Sequence, residues 1–375
     1  MSILGQTIED ISLLAKERQA IDLAMGTPSD PMPGFVFQTL ASQTDSPFHQ
    51  YSDTEGLYSL RAKITQDYAA RFNCQFNPDD HCTLVGGATA GMMLTLLAIL
   101  EPGDEIIVFD PVFPPYLSQI EMAGGKVKAV KLNPENWEID FTALQNAINA
   151  KTKAIILTNP HNPTGKVFCE DEYAALAHII DSNHLYCIED RVYQGFNYEG
   201  KDTPPMSHFC RTDDKVIVCN SFSKSFMITG WRIGYVIHPK SIKDRLRMIL
   251  PNYQCSLPSP LLHCLDANFD KFVELRTTLQ QAFAIRKQVV SDFLLTLDME
   301  VMPSQGGWFF MAKPIMSEGV YCDEALCERL LMEHNVATVP GSFFNSMGEP
   351  TGTVRVSFCR QDSLSKIREL RGTNV

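Results

Sequence analysis

Apolar runs alternate with segments of helical periodicity through the middle of the chain. Runs of β-branched and aliphatic residues predict strands, and amphipathic spacing between them predicts helices. The predicted strands cover residues 83–85, 105–109, 126–131, 153–158, 185–189, 215–219 and 233–237. The predicted helices between them cover residues 89–100, 140–149 and 170–182. This alternation predicts an α/β fold with a mostly parallel seven-stranded sheet flanked by helices.

The pattern differs at the two ends of the chain. Residues 6–19 have apolar positions at helical spacing, and residues 26–34 contain glycines and prolines that interrupt regular structure. A helix is predicted after Leu57, capped by Asp53 or Thr54, and a long helical segment is predicted to end near 295. Further predicted elements are helices at 322–334 and 362–371 and strands at 308–312 and 354–358. We predict a large domain at 40–255 and a smaller α+β domain formed by 1–39 and 256–375, against which the N-terminal arm packs.

Composition and charge narrow the classes of function. The chain has 375 residues, 45% of them hydrophobic and 20% charged, which is ordinary for a soluble globular protein and sufficient for two packed units. The net charge of −12 argues against nucleic acid or an anionic membrane as a partner, because neither would attract the chain. Small anionic substrates remain compatible with this net charge, since arginines in a pocket can make the local electrostatic potential positive.

Cysteine spacing and the N-terminal residues indicate a compartment. The eleven cysteines include no C-x-x-C pair and no repeated metal-ligand spacing, so we expect buried thiols and no metal site. The first residues form no basic leader, and the longest apolar run, 92–100, is too short to cross a bilayer. We therefore predict a cytoplasmic protein without a membrane span.

The stretch 220–235 carries the strongest chemical signal. It follows a predicted buried strand and contains Ser221, Ser223, Lys224 and Arg232 in the spacing Ser-x-Ser-Lys, then Gly-x-Arg-x-Gly. A lysine in isolation is usually a solvated surface charge. A lysine that condenses with an aldehyde cofactor needs a phosphate-binding group nearby, however, and hydroxyls with a guanidinium suit a phosphate dianion. The stretch resembles the lysine segment of the fold-type I pyridoxal-phosphate (PLP) enzymes, the class I and II aminotransferases.

Other segments match this family in the family's order. Each has an ordinary interpretation when taken alone, as a turn, a helix cap or a core residue, so the order of the whole set carries the resemblance. The segments are Gly26-Thr27-Pro28, Tyr51-x-x-x-x-Gly56, Gly86-Gly87-Ala88-Thr89, Phe113 after a predicted strand, Asn159-Pro160-His161-Asn162-Pro163-Thr164-Gly165, Asp190 with Tyr193, and Val354-Arg355-Val356-Ser357.

The resemblance implies a homodimeric enzyme of the PLP-dependent transferase fold type I. Lys224 would form the Schiff base with the cofactor and move the proton, and Asp190 would face the pyridine nitrogen. Tyr193 would share the phenolic oxygen of the cofactor with Asn162, and Phe113 would stack on its ring. The phosphate would be held by Gly87, Ala88, Thr89, Ser221, Ser223 and Arg232, together with Tyr51 from the partner subunit.

The same resemblance implies the substrates and leaves alternatives open. Gly26, Asn162 and Arg355 would bind the α-amino acid or 2-oxo acid, with Arg355 on the α-carboxylate. From its pattern alone, Arg355 could equally pair with a structural carboxylate. Close relatives use the same cofactor residues for β- or γ-elimination, and related domains serve as ligand sensors in transcription regulators. The absence of Lys and Arg from helix 89–100 favours a neutral or apolar amino acid as substrate.

Overall fold

A seven-stranded sheet forms the centre of the chain. The structure is a computed structural model that describes residues 4–5, 7–43, 47–211, 214–315 and 322–370. The strands of the central sheet are β2 (Cys82–Val85), β3 (Glu105–Asp110), β4 (Lys126–Lys131), β5 (Thr152–Thr158), β6 (Tyr186–Asp190), β7 (Val216–Ser221) and β8 (Gly234–Ile237). The other strands are β1 (Ile21–Asp22), β9 (Met299–Val301), β10 (Phe309–Pro314), β11 (Val336–Ala337), β12 (Val339–Pro340) and β13 (Val354–Ser357).

Strand direction brings the functional segments to one edge. The strand order in the sheet is β2-β8-β7-β6-β5-β3-β4, and only β8 runs antiparallel to its neighbours. The carboxyl ends of β5, β6 and β7 therefore lie side by side, and they carry Thr158, Asp190 and Ser221. This edge is where ligands bind in open α/β sheets. The mostly parallel seven-stranded sheet expected from the sequence is confirmed.

Helices cover both faces of the central sheet. Along β5, Ile155 joins one hydrophobic cluster with Leu176, whereas Ile156 joins the cluster on the opposite face with Leu96. The described helices are α1 (Ile8–Glu17), α2 (Gly34–Ala41), α3 (Tyr58–Phe72), α4 (Pro78–His81), α5 (Ala88–Ile99), α6 (Pro115–Met122), α7 (Phe141–Ala147), α8 (Glu170–Asn183), α9 (Phe222–Ser225), α10 (Lys243–Tyr253), α11 (Ser259–Leu295), α12 (Asp323–His334) and α13 (Gln361–Leu370).

A second unit contains two smaller sheets. One is four-stranded and antiparallel in the order β12-β13-β10-β9, and the other pairs β1 with β11 in parallel. Ile11 and Ala15 of α1 share a hydrophobic cluster with Val356 of β13 and Leu330 of α12. The N-terminal helix thus packs on this unit, as its apolar spacing suggested.

The long helix α11 belongs to both cores. Leu262 and Phe269 in its first half pack into a cluster of the central sheet, whereas Phe283 and Val290 in its second half pack into the cluster of the smaller unit. The first half of α11 thus belongs to the core of the central sheet and the second half to the core of the smaller unit. The domain division at 255/256 stays a prediction.

Two local expectations differ from the structure. Helix α3 begins after Leu57 without a side-chain cap, so neither Asp53 nor Thr54 caps it; Asp53 instead begins a turn in which its carbonyl accepts from the Gly56 N–H at 2.8 Å. Helix α10 was not predicted, since Pro251 interrupts its pattern; it includes this proline in its last turn.

The described ranges contain neither a helix that could span a membrane nor a cluster of side chains that could bind a metal ion. No helix there combines the length and apolar character that crossing a bilayer requires. No group of three or more His, Cys, Asp or Glu side chains in those residues could hold a metal ion.

Candidate active site

A cavity of about 260 Å³ opens at the carboxyl ends of β5, β6 and β7. It brings together side chains that are far apart in the sequence, because parallel strands end at one edge. The predicted site residues that line it are Gly26, Ala88, Thr89, Phe113, Asn162, Asp190, Tyr193, Ser221, Ser223, Lys224, Arg232 and Arg355. Gly87 and Tyr51 complete the predicted set and are considered below.

Lys224 projects into the cavity from the short helix α9. Ser221 caps this helix, its hydroxyl accepting from the Ser223 N–H at 3.1 Å. The Lys224 Nζ donates to the Gly26 carbonyl at 2.9 Å, which places the two predicted residues in contact. Removal from solvent lowers the pKa of the Lys224 amine to about 8, and the positive charges of Arg355 and Arg232 act in the same direction. The amine is therefore a far better nucleophile near neutral pH than an ordinary lysine.

One end of the cavity is built to receive an anion. Helix α5 begins after Gly87, whose φ of 84° requires glycine, and no side chain caps its first N–H groups. A Cβ at Gly87 would lie 2.6 Å from Nη2 of Arg232, so the guanidinium lies directly against this turn. The hydroxyls of Ser221 and Ser223 are 2.8 Å apart beside them. Helix N-terminus, hydroxyls and guanidinium together suit a phosphate.

Asp190 forms the floor of the cavity at the end of β6. Its carboxylate accepts from the Tyr116 hydroxyl at 2.5 Å and from the Val192 N–H at 3.0 Å. Tyr116 lies also 3.0 Å from the Thr158 hydroxyl. Burial raises the pKa of Asp190, and the hydrogen bond from Tyr116 opposes that rise. Asp190 is thus a buried carboxylate whose ionised form is held by specific donors.

Tyr193 and Phe113 are aromatic walls of the same cavity. Tyr193 packs edge-on against Trp308 and Phe309, each ring centroid 5.7 Å away, and burial raises its pKa. Phe113 packs edge-on against Tyr116 with centroids 5.4 Å apart. These two residues give the cavity aromatic walls that pack against neighbouring rings.

Arg355 reaches the opposite end of the cavity from β13. Its Nη2 donates to the Ala24 carbonyl at 2.8 Å, and its Nη1 donates to Oδ1 of Asn162 at 3.3 Å. Its guanidinium carbon lies 4.1 Å from the centroid of the Phe309 ring. The buried Nε has no hydrogen-bond partner, and no Asp or Glu of the described residues pairs with Arg355. The alternative that this arginine pairs with a structural carboxylate is therefore wrong for the part of the chain described.

Burial lowers the pKa of Arg355 to about 10, because a desolvated cation lacks a compensating anion. The guanidinium remains charged at neutral pH. A carboxylate that accepted from Nε and a second nitrogen would supply both the missing hydrogen bond and the missing charge.

Tyr51 stands apart from the cavity of its own chain. Its side chain is 86% exposed, and the neighbouring Ser52 N–H donates to the Ser256 hydroxyl at 3.1 Å. The structure therefore places Tyr51 on the surface, and its role in a partner's site stays a prediction.

Several residues of the cavity were not predicted. Tyr116 donates to Asp190, and its hydroxyl lies within hydrogen-bonding distance of the Thr158 hydroxyl. Gln119 donates to the Thr89 carbonyl at 2.8 Å, and Ile8 and Glu9 of α1 line the cavity. The only sequence signal for Tyr116 was its place after a predicted strand, which is typical of core aromatics. Nothing in the sequence pattern separated Glu9 from the other acids of its helix.

Comparison with known proteins gives the family. The family model "Aminotransferase class I and II" matches residues 18–369. A methionine aminotransferase of Escherichia coli is 27% identical over 96% of this chain and 93% of its own, and an aspartate aminotransferase of Thermotoga maritima is 30% identical over 92% and 89%.

Solved structures agree with this assignment. The E. coli protein identified as a methionine aminotransferase superposes with a TM-score of 0.92 at 27% identity, over 99% of this chain and 97% of its own. N-Succinyldiaminopimelate aminotransferase of Mycobacterium tuberculosis gives 0.90 at 26% identity, over 99% and 96%. The predicted fold class and the predicted aminotransferase function are confirmed. This chain belongs to the class I and II aminotransferase family.

Proposed function

We propose that this aminotransferase uses PLP, held through Lys224, to move an amino group between an α-amino acid and a 2-oxo acid. The observation that carries the proposal is a lysine amine with a pKa of about 8 in a cavity bounded by Asp190, the anion-binding turn at Gly87, and the unpaired Arg355. These groups correspond to the three parts of such a reaction: cofactor ring, cofactor phosphate and substrate carboxylate.

The residues present fit the cofactor. Because residue 87 is glycine, no Cβ lies against the Arg232 guanidinium, which stays accessible to an anion at this turn. The first N–H groups of α5 have no side-chain cap. Ala88, Thr89, Ser221, Ser223 and Arg232 would hold the phosphate. Asp190, Tyr193, Asn162 and Phe113 would hold the ring. When bound, PLP supplies an electron sink that stabilises negative charge at the substrate α-carbon.

Lys224 would carry the proton during transfer. Its pKa of about 8 leaves a usable fraction of neutral amine near pH 7, so the same group can accept a proton and return it. The hydrogen bond from Nζ to the Gly26 carbonyl orients the amine toward the small-domain side of the cavity. Asp190, kept ionised by Tyr116, would hold a proton on the ring nitrogen facing it.

Arg355 and Asn162 would bind the substrate carboxylate. Asn162 fixes the guanidinium through its 3.3 Å hydrogen bond, and the Phe309 ring supports the guanidinium face. The lining also includes the apolar side chains of Ile8, Met25 and Met92. This lining supports a neutral, apolar side chain in the amino donor, which agrees with the name of the E. coli relative.

We also propose a homodimer in which Tyr51 reaches the partner's phosphate site. The exposed segment around Tyr51 is joined to α10 by the ion pair of Glu55 with Arg247 at 3.6 Å. Helix α10 carries the exposed apolar side chains of Met248 and Tyr253, 69% and 47% exposed. An exposed apolar surface of this kind supports an interface with a second copy of the chain.

Nucleic acids and anionic membranes find no support as partners, since the net charge of −12 would repel them. The eleven cysteines are all free thiols, which supports a reducing compartment, and we propose the cytoplasm.

A panel of amino donors tests the reaction. Each donor is incubated with the PLP-loaded enzyme and a 2-oxo acid, and both the new 2-oxo acid and free ammonia are measured. We expect equal amounts of new 2-oxo acid and new amino acid without ammonia. Release of ammonia in proportion to donor consumed would show an elimination enzyme instead.

A further inference from the structure

Glu9 is an exposed residue that lines the cavity from a helix whose backbone is anchored. It is in the first turn of α1, which starts at a capping box: the Thr7 hydroxyl accepts from the Asp10 N–H at 3.1 Å, and the Asp10 carboxylate accepts from the Thr7 N–H at 3.0 Å. Ile11 and Ala15 anchor the other face of the helix in the core of the smaller unit. The backbone that carries Glu9 is therefore held at both its cap and its buried face.

The charges around the cavity leave one acid without a role. The charged side chains among the described lining residues are Glu9, Asp190, Lys224, Arg232 and Arg355. Under the proposed function, the last four serve the cofactor ring, the proton, the phosphate and the substrate carboxylate. Glu9 forms no salt bridge within the described ranges. Every cation of this lining is thus assigned, and the remaining charge is negative.

Glu9 acts on the substrate end of the cavity rather than the phosphate end. Burial lowers the pKa of Arg355, and Tyr193, Cys359, Asp22 and, least of these four, Glu9 oppose that lowering. Ser12, one turn further along the same face of α1, donates to Asp22 of β1 at 2.7 Å, and Asp22 is another of the acids that act on Arg355. A substrate held by Arg355 would extend its side chain into the field of Glu9.

We propose that Glu9 selects the amino donor by charge, disfavouring donors with an anionic side chain and favouring neutral ones. This inference rests on the proposed function and names the substrate class of the same site. An aspartate or glutamate side chain would find no spare cation on the described lining and would face the carboxylate of Glu9. A neutral side chain of the same length would meet Ile8 and Met92 without that repulsion.

The isosteric pair glutamine and glutamate measures this effect. We expect Glu9→Gln to reduce the ratio of kcat/KM for glutamine over that for glutamate by about threefold to tenfold, the range for one charge several ångströms away in a partly solvated site. The reduction should come from faster reaction of glutamate and should shrink in 1 M salt, where the Debye length is about 3 Å. An unchanged ratio would overturn the proposal.

Glu17→Gln is the matched control, because Glu17 ends the same helix, is exposed and does not line the cavity. It removes the same charge and should leave the ratio as in the unmodified protein; an equal effect of both variants would overturn the local role of Glu9.

A binding measurement keeps the two proposals separable. Calorimetry of the PLP-loaded protein compares pentanoate with glutarate, which differ by one carboxylate. Glu9→Gln should strengthen binding of glutarate relative to pentanoate by a similar factor. Loss of this shift would refute the charge selection even in an active enzyme. If no donor is transaminated, the proposed function fails, whereas the two dissociation constants still decide the role of Glu9.

Discussion

The Tyr116 hydroxyl donates a 2.5 Å hydrogen bond to the buried carboxylate of Asp190. The two residues lie 74 positions apart, at the start of α6 and the end of β6, and they meet because β3 and β6 end at the same edge of the sheet. Burial alone would raise the pKa of Asp190, and the tyrosine counteracts it by stabilising the ionised form. We infer that Tyr116 positions Asp190 and stabilises its ionised form, which under the proposed function would face the cofactor ring.

We expect Tyr116→Phe to move the acidic limb of the kcat/KM profile upward by about one pH unit. Loss of a hydrogen bond to a charged group costs about 1.5–3 kcal/mol at most, and one pKa unit corresponds to about 1.4 kcal/mol. Because the lost bond favoured the carboxylate, the pKa of Asp190 rises further, and the charge is lost at a higher pH as the solution is acidified. Stopped-flow or steady-state rates between pH 5 and 8 measure the shift.

Tyr173→Phe is the control for Tyr116→Phe. Tyr173 is also buried and donates to a carboxylate, that of Glu189 at 2.7 Å, but it does not line the cavity. It should lower the melting temperature and leave the pH profile in place. If Tyr116→Phe behaves in the same way, Tyr116 is only a packing residue.

The pKa of Lys224 predicts how the cofactor-free protein captures PLP. Only the neutral amine attacks the aldehyde, so the rate should rise with pH up to about 8 and level off above it, whereas an ordinary lysine keeps rising toward 10.5. The measurement is the growth of the yellow absorbance band at each pH. Nα-acetyl-lysine serves as reference, since the titration of PLP itself affects both reactions equally. The ratio of the protein's capture rate to the rate of Nα-acetyl-lysine should fall above pH 8. A ratio that stays constant up to pH 9.5 would disprove the lowered pKa of Lys224.

Mixing inactive variants tests whether Tyr51 serves the partner subunit. Lys224→Ala mixed with Tyr51→Ala should recover activity, because one site of each mixed dimer then has both an intact lysine and an intact tyrosine. Lys224→Ala mixed with Asn162→Ala should stay inactive, since Lys224 and Asn162 of one site come from the same subunit and each site of the mixed dimer therefore keeps one of the two defects. Activity is measured after joint refolding or subunit exchange. Equal behaviour of the two mixtures would place Tyr51 outside the shared site.

Replacing Arg355 by Lys separates carboxylate binding from stability. A lysine cannot form two parallel charge-assisted bonds, each worth roughly 1.5–3 kcal/mol, so kcat/KM for α-amino acids should fall on the order of tenfold to a thousandfold. Amines without an α-carboxylate should be almost indifferent to the change, and the cofactor absorbance should persist. A destabilised variant with unchanged kcat/KM would contradict the carboxylate role.

Arg286→Lys is the matched control for that experiment. Arg286 is a buried arginine of α11 whose guanidinium pairs with Asp30 at 2.9 Å, and it does not line the cavity. It should lower stability while keeping the discrimination between amino acids and simple amines.

The sequence predicts most of the sheet because buried parallel strands are continuous apolar runs. Strand β5 was expected at 153–158 and covers Thr152–Thr158, and β7 was expected at 215–219 and covers Val216–Ser221. Helix α10 was missed because Pro251, which lies in its last turn, is typical of a helix break. Local pattern thus locates elements that bury apolar side chains and fails where a single residue breaks the pattern.

The same limit explains which residues of the candidate active site could be predicted from the sequence. Motif residues such as Lys224 and Asp190 could be named because each stands in a recognisable local segment. Tyr116 and Glu9 could not, since their places in the cavity depend on how α6 and α1 pack in the folded chain. Long-range pairing leaves no periodicity in a single sequence, so these residues emerge only from the fold.

The central claim is that Lys224 holds the cofactor, and covalent labelling tests it most directly. The PLP-loaded protein is treated with borohydride, digested and mapped by mass spectrometry, with Lys224→Ala as control. We predict that the yellow band disappears and that the pyridoxyl phosphate label is recovered on Lys224, while the variant remains unlabelled. Recovery of the label on another lysine, or equal labelling of Lys224→Ala, would contradict the account.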